Sequence, residues 1–436
     1  MNPGLIGYYI MVALRGMRER WGVATLMVLT LAVGIGGATA AYALIRAASA
    51  NPVPEISNQL HFPVLETGPM RTRGPRPSAL WSYPDFIALS RAGVSGTRVS
   101  ANYTINPVVS LPSRQGRPRH VVGQAVSRDF FSIMNAEFVY GTVWDADGSG
   151  SARDIVISDV LNRRLFDGAN SVGHMLTLDG QAFRIIGVLR HFDPAPKFYS
   201  LEGGAFVDRD DLFIDVETAI GVGLASAGNV RCRTAVEPGT KALSASSCQW
   251  VSVITRGDEA ATKALALWMT NYAAFRTQYA PDSDPARGAL YGFDDWMSVQ
   301  GAVPDDAIRL QIVCLGILSV SCANLVALLL SSFLRKEKDL GVRRALGAKR
   351  GDIAMQLLVE SAVVGVIAGI VGTAFAAGGT AVMRSYVPPA LARHVQVDVA
   401  LLVLAIIAGC LAAVISGVYP AVRAATVNPA WQVKTS

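Results

Sequence analysis

Residue types able to do chemistry are sparse in these 436 residues and do not cluster. The five histidines, His61, His120, His174, His191 and His394, are scattered, and none falls in an H-E-x-x-H metal motif. His191 and Asp193 come nearest to a ligand or triad pair, and two residues make neither. No G-x-S-x-G elbow presents a nucleophilic serine, and no C-x-x-C pair is poised for redox work or zinc. No G-x-x-x-x-G-K-[ST] loop is present to cradle a nucleotide phosphate. The sequence therefore offers no catalytic residue, no cofactor-binding residue and no metal ligand set. What remains is a basic, glycine-broken stretch, Arg335–Asp352, lying between two long apolar runs, and a pair of cysteines, Cys232 and Cys248.

Those apolar runs are the elements that must position everything else. Hydrophobic residues make up 51% of the chain and charged residues 17%. Trp21–Ile45, Leu310–Leu334, Ser361–Met383 and Val399–Val422 carry no charge. Each is long enough to cross a hydrocarbon core of about 30 Å at about 1.5 Å per residue. The predicted fold class is a membrane protein with four transmembrane α-helices in a 1+3 arrangement. A large mixed α/β extracytoplasmic domain lies between the first and second helices. The net charge of +6 divides unevenly: residues 46–309 hold 25 Lys and Arg against 27 Asp and Glu, and the rest hold 14 against 6. The basic excess belongs to the membrane flanks, so nucleic acid is not an expected partner. Arg15, Arg18 and Arg20 precede the first run, and seven Lys and Arg lie between the second and third. Positive charge stays inside, which places both termini and the basic hairpin in the cytoplasm and residues 46–309 outside.

Taken in order, residues 1–20 read as a cytoplasmic interfacial helix and 21–45 as the first span. A secretory signal is the alternative for this run, but it is longer than a signal's apolar core. Residues 46–309 form the outer domain. Its strongest local signal is Asp179-Gly180 between Met175–Leu178 and Phe183–Val188, a hairpin turn. Residues 197–248 are rich in Gly, Ala and Ser and read as an inserted subdomain. Glu259–Tyr279 reads as a helix, with Leu265, Trp268, Met269 and Tyr272 near helical spacing. The second span is 310–334, the cytoplasmic hairpin 335–352, the third span 353–383, a short outer loop 384–398, the fourth span 399–422 and a cytoplasmic tail 423–436. Cys314, Cys322 and Cys410 fall inside spans. Cys232 and Cys248 are the only two outside, where an oxidising compartment permits a disulfide. Two unrelated buried thiols are the other reading.

Helices in lipid gain no hydrophobic stabilisation from touching, so close approach needs small residues. Gly365, Gly369 and Gly372 in the third span and Gly409, Ala413 and Gly417 in the fourth supply such faces, for packing within the subunit or across a dimer. Glu360 is the nearest charge to a span interior and reads as facing the basic hairpin. Spans without a polar path are a poor basis for a channel or secondary transporter. In the hairpin, Gly341, Gly347 and Gly351 interrupt the pattern, so one straight helix is not expected. Leu340–Leu346 is expected to form a short helix capped by Gly347, with Arg343 and Arg344 available to water or a partner. A loop that only orients the protein is the plainer alternative.

The string RKEKDLGVRRALGAKRGDIAMQLLVES resembles the hallmark of the MacB/FtsX-like family of ABC permeases, E-I-G-[IV]-R-x-A-[LV]-G-A running into Q-x-[LI]-x-E. Here it reads Asp339, Leu340, Gly341, Val342, Arg343, Arg344, Ala345, Leu346, Gly347 and Ala348, then Gln356 to Glu360. Ser82–Phe86, VSRDFFSIM, Gly141, SVGHMLTLDGQAFRIIGV and the tail GVYPAVRAATVNPAWQV are similar to other motifs of that family. The resemblance implies a permease subunit of the mechanotransmission type. An ATP-binding subunit docks on Leu340–Ala348 as the coupling helix. ATP and Mg belong to that partner, and no cofactor to this chain. ATP hydrolysis moves the periplasmic domain to export or extract a drug, peptide, lipid or lipoprotein. It also implies a second permease, homodimeric or related, contact with membrane lipid, a periplasmic adaptor or outer-membrane channel, and a bacterial inner-membrane location. Only about twenty residues precede the first span, so the ATPase is expected on another polypeptide. The alternative is an FtsX-like transmembrane sensor that signals between the periplasm and a cytoplasmic ATPase.

Overall fold

The computed structural model describes residues 3–66, 77–111, 118–144, 153–200, 204–232, 248–279, 286–336, 341–343 and 346–426. It divides into two compact units: Met1–Ala48 with Val303–Ser436, and Ser49–Ala302.

The first unit is helical. Four helices, Trp21–Ala48, Asp305–Leu334, Arg350–Met383 and Val399–Thr426, are long and apolar enough to cross a membrane. One precedes the second unit in sequence and three follow it. The third packs against both the first and the fourth, and the second packs chiefly on the first. Helix Pro3–Glu19 lies against the third, burying Tyr9 and Ala13. Several helices run past the bounds expected from hydropathy. The second begins at Asp305 rather than 310, the third at Arg350 rather than 353, and the fourth ends at Thr426 rather than 422. Hydropathy marks where lipid ends. Backbone hydrogen bonding continues past that point, with Asp305, Asp306 and Arg309 on the added turn. The loop 384–398 holds a short helix, Pro389–Ala392, and Arg384 donates from Nε to the Val395 carbonyl at 2.9 Å.

The second unit is built on one mixed sheet. In spatial order its strands are Arg287–Gly292, Leu60–Glu66, Val251–Arg256, Arg98–Ile105, Gly123–Val126, Leu212–Asp215, Asp154–Ile157, Gln181–Leu189, Met175–Leu178, Val108–Ser110 and Arg119–His120. Leu80–Trp81 joins Val251–Arg256, and Phe138–Gly141 joins Gln181–Leu189. Among the described residues two pairs are parallel, Gly123–Val126 with Leu212–Asp215 and Asp154–Ile157 with Gln181–Leu189. The central strands are short apolar runs because both of their faces are covered. Ile155, Ile157, Leu212 and Ile214 enter one core layer, and Val156 and Phe213 the other. Helices Tyr83–Ala92 and Glu259–Tyr279 close the first layer, with Leu265 and Met269 fully buried. Helices Asp129–Ile133 and Phe293–Val299 close the second through Phe130, Phe131, Phe293 and Trp296. The Asp-Gly hairpin forms with Asp179 at φ 48° and Gly180 at φ 81°, both left-handed, as a type I′ turn requires.

The described residues of 197–248 do not stand apart as an inserted subdomain. Within them Leu212–Asp215 is a middle strand of the sheet, and Phe198 and Tyr199 sit in the second core layer. The Gly, Ala and Ser content hid a strand of only four residues, and four residues are enough when both faces are buried.

Candidate functional site

The basic stretch between the second and third spans is held from below by three acceptors on one helix face. Asp352, Gln356 and Glu360 follow one another at intervals of four on the third helix, a spacing that aligns side chains. Asp352 Oδ2 accepts from the Lys349 backbone N–H at 3.1 Å and caps the helix start. Gln356 Oε1 accepts from Arg343 Nη1 at 2.7 Å. Glu360 takes Lys336 Nζ on both carboxylate oxygens, at 2.6 and 2.8 Å. The Glu360 side chain is 9% exposed and that of Lys336 18%. Among the described residues, Glu360 is the charge lying deepest within a span, and it is paired.

Above these anchors, Gly341, Val342 and Arg343 are helical. The Leu346 N–H reaches the Val342 carbonyl at 3.1 Å, and the Ala348 N–H reaches the Arg343 carbonyl at 3.1 Å. Between them Gly347 has φ 102°, so the turn ends in the Schellman manner, on a residue that tolerates left-handed backbone. Val342 is 61% and Leu346 84% exposed. Two apolar side chains four residues apart thus stand in the open on a braced turn. Leu340, Arg344 and Ala345 lie outside the described residues. The N-terminal helix also reaches the site: the Tyr8 hydroxyl accepts from Arg343 Nη2 at 3.4 Å, and Arg20 Nη1 donates to the Ser332 carbonyl at 3.3 Å.

The small residues of the spans meet one another within the chain. A Cβ on Gly365 would strike the Gly409 carbonyl and lie 2.7 Å from Ala413 Cβ; one on Gly369 would lie 2.7 Å from Ile406 Cα. Gly372 abuts the first span at Ala32 and Ile35, and Gly417 abuts Ser361. The third helix is therefore in backbone contact with two others.

In the second unit, a disulfide with an S–S distance of 1.99 Å joins Cys232 to Cys248 and links two short strands. His61 lies between the Gln59 carbonyl and the Thr262 hydroxyl, and burial lowers its pKa. Asp193 pairs with Arg209 at 3.5 Å. Among the described residues, no three His, Cys, Asp or Glu side chains group as a metal site. Two buried polar clusters escaped the sequence reading. Ser82 caps the helix Tyr83–Ala92 and donates its hydroxyl to Asp85, which also takes the Tyr272 hydroxyl at 2.8 Å and Arg276 at 3.0 Å, tying two helices together. Asp210 takes Lys197 Nζ at 2.7 Å and the Tyr199 hydroxyl at 2.5 Å, and burial, reinforced by Asp210, holds that phenol well above its usual range. Sequence alone marks none of these charges as buried. The acceptor spacing 352, 356, 360 was the one readable signal for the hairpin's anchors.

A family model of the MacB-like periplasmic core domain matches residues 24–248, and one of the FtsX-like permease C-terminal matches residues 312–429. The chain belongs to the MacB/FtsX-like family of ABC transporter permeases. The permease is 25% identical over 272 residues to the macrolide export ATP-binding/permease protein MacB of Agrobacterium fabrum, covering 60% of this chain and 36% of that protein. It is 25% identical over 312 residues to the pyoverdine export ATP-binding/permease protein PvdT of Pseudomonas aeruginosa, covering 69% and 40%. With the uncharacterized ABC transporter permease YknZ of Bacillus subtilis it shares 23% over 291 residues, covering 66% and 63%. The permease thus spans little more than a third of the length of the two ATP-binding/permease relatives. The solved extracellular domain of the noncanonic ABC-type transporter YknZ from Gram-positive bacteria is 12% identical, with a TM-score of 0.34 over 52% of this chain and 99% of that one.

Proposed function

We propose that the permease works by mechanotransmission. An ATP-binding subunit seats on the braced turn at Val342 and Leu346, and its ATP-driven closing moves the spans and the periplasmic-type domain. ATP and Mg reside in that partner, and this chain performs no hydrolysis. The observation that carries the reading is the exposure of Val342 and Leu346, 61% and 84%, on a turn whose base is fixed by three hydrogen-bonded anchors. Exposed apolar side chains on a rigid support suit a partner surface rather than a solvated loop. The spans support it too, because Glu360 is already neutralised by Lys336 and adds no polar step for a solute. In this reading the turn and both termini are cytoplasmic, the membrane is a bacterial inner membrane, and a second permease completes the assembly. The cargo is a drug, peptide, lipid or lipoprotein taken from the outer leaflet or periplasm, consistent with relatives named for macrolide and pyoverdine export.

The test is purification of the full chain with its coexpressed ATP-binding subunit. Leu346→Asp and Val342→Asp are expected to abolish copurification and the ATPase turnover that depends on the permease. Unchanged assembly and turnover in both variants would reject the seat. So would labelling of Leu346→Cys in intact cells by a membrane-impermeant maleimide added from outside.

A further inference from the structure

We propose that Lys336 and Glu360 are positioning residues that join the hairpin and the third span into one mechanical body, so that a push on Val342 and Leu346 is delivered to the third span. The proposal rests on the reading of the hairpin as the ATPase seat.

A glycine-broken connection between two helices would, left to itself, absorb a push by bending. Here its descending course is pinned at three levels of one helix. Lys336 meets Glu360, Arg343 meets Gln356, and the Lys349 backbone meets Asp352, in antiparallel order along the helix. Eight residues separate the outer anchors, about 12 Å of helix axis. The deepest anchor is of a different kind from the other two. It is an ion pair with both carboxylate oxygens engaged and both side chains mostly shielded. An exposed ion pair exchanges its partner for water at little cost. A shielded one has no such substitute, so it holds its geometry. Lys336 also sits two residues beyond the second span's last residue, Leu334, with its backbone N–H on the Phe333 carbonyl at 3.0 Å. On the N-terminal helix, Gly16 leaves the room this side chain uses: a Cβ there would lie 3.3 Å from Lys336 Nζ. The body being pushed is also the one best placed to pass motion on. The third helix meets the fourth at Gly365 and Gly369 and the first at Gly372, backbone to backbone.

A plainer role for the pair is charge neutralisation, which lets Glu360 enter the membrane and nothing more. The double variant Lys336→Met with Glu360→Leu separates the two roles, because it carries no charge to neutralise yet has no brace. The reversed pair Lys336→Glu with Glu360→Lys restores a brace. In full-length permease with Cys314, Cys322 and Cys410 replaced by alanine, nitroxides at Leu346→Cys and Val366→Cys report the hairpin's position by electron–electron distance. A narrow distribution is expected in the parent, a broad one in the uncharged double variant, and a narrow one again in the reversed pair. With the coexpressed ATP-binding subunit, the uncharged variant is expected to copurify at the parental ratio while its ATPase turnover falls about tenfold. A narrow distribution and parental turnover in the uncharged variant would overturn the proposal. If the distribution broadens but Leu346→Asp leaves ATPase assembly intact, the brace stands and the seat falls.

Discussion

In the domain between the first and second spans, the core is filled by Trp81, Trp250, Phe130, Phe183 and Phe213, all fully buried. In the helical unit helices meet closely at Gly365, Gly369, Gly372 and Gly409, where there is almost no side chain at all. The difference follows from the solvent each unit excludes. A phenylalanine leaving water for a protein core contributes roughly 2–3 kcal/mol through its apolar area. A leucine leaving lipid tails for a helix contact contributes nothing of that kind, so the bundle relies on close backbone approach and dispersion. The first unit is therefore sensitive to added volume, and the second to lost volume.

The largest expected effect tests the second half of that statement. Phe130 is enclosed by Phe131, Phe192, Tyr199 and Phe213, with ring centroids 5.3–6.0 Å away. Phe130→Ala is expected to destabilise the domain by about 3–5 kcal/mol. Leu329→Ala, as deeply buried in the bundle, is expected to cost clearly less. Thermal unfolding of the full chain in detergent, followed by near-ultraviolet circular dichroism, measures both. Equal losses would break the contrast. Next comes the disulfide. Cys232 and Cys248 close a loop with a separation of 16, and Cys232→Ser is expected to cost about 3 kcal/mol by the loop-closure relation. A reductant should reproduce that loss in the parent and have no effect on the variant.

The sharpest test uses one substitution twice on the same helix. A Cβ at Gly365 collides with the fourth span, whereas one at Gly378 meets nothing within 4 Å. Gly365→Ala is expected to destabilise by about 1–3 kcal/mol through overpacking. Gly378→Ala is expected to stabilise by up to about 1 kcal/mol, since alanine orders a helix at lower entropic cost. Shifts of the same sign in the melting temperatures of the two variants would remove the small-residue account of the bundle.

The same physics governs what could be read from the chain. The four spans were legible because a bilayer demands long uncharged runs, a constraint that operates locally. The Asp179-Gly180 turn and the helix Glu259–Tyr279 were legible for the same reason, each being written within a few residues. Sheet order was not: Leu212–Asp215 pairs with Gly123–Val126 and Asp154–Ile157, and nothing within those four residues points across such separations. At the candidate site, Glu360 could be seen to face the basic hairpin, but not which of seven Lys and Arg it holds. Nor could Lys197 and Asp210 be recognised as a buried pair, because burial is decided by distant chain.

The smallest expected effect concerns a charge rather than a volume. Asp215 caps the helix Val216–Gly221, its carboxylate accepting from the Thr218 N–H at 3.0 Å. Burial raises its pKa above 3.8, outweighing the helix-start hydrogen bonds that lower it. The folded state therefore holds this proton more tightly than the unfolded chain does. The stability this supplies is complete below pH 3.8 and is lost as pH rises through the folded-state value. At neutral pH the buried carboxylate is a small liability. Asn accepts the same cap bond without the charge. Asp215→Asn is therefore expected to melt slightly above the parent at pH 7, by less than any change above, with the gap closing as the pH is lowered toward 3.8. A gap that widens on acidification would mean the cap bond, not burial, dominates this carboxyl. The domain's core would then tolerate charge at its edge better than its aromatic interior implies.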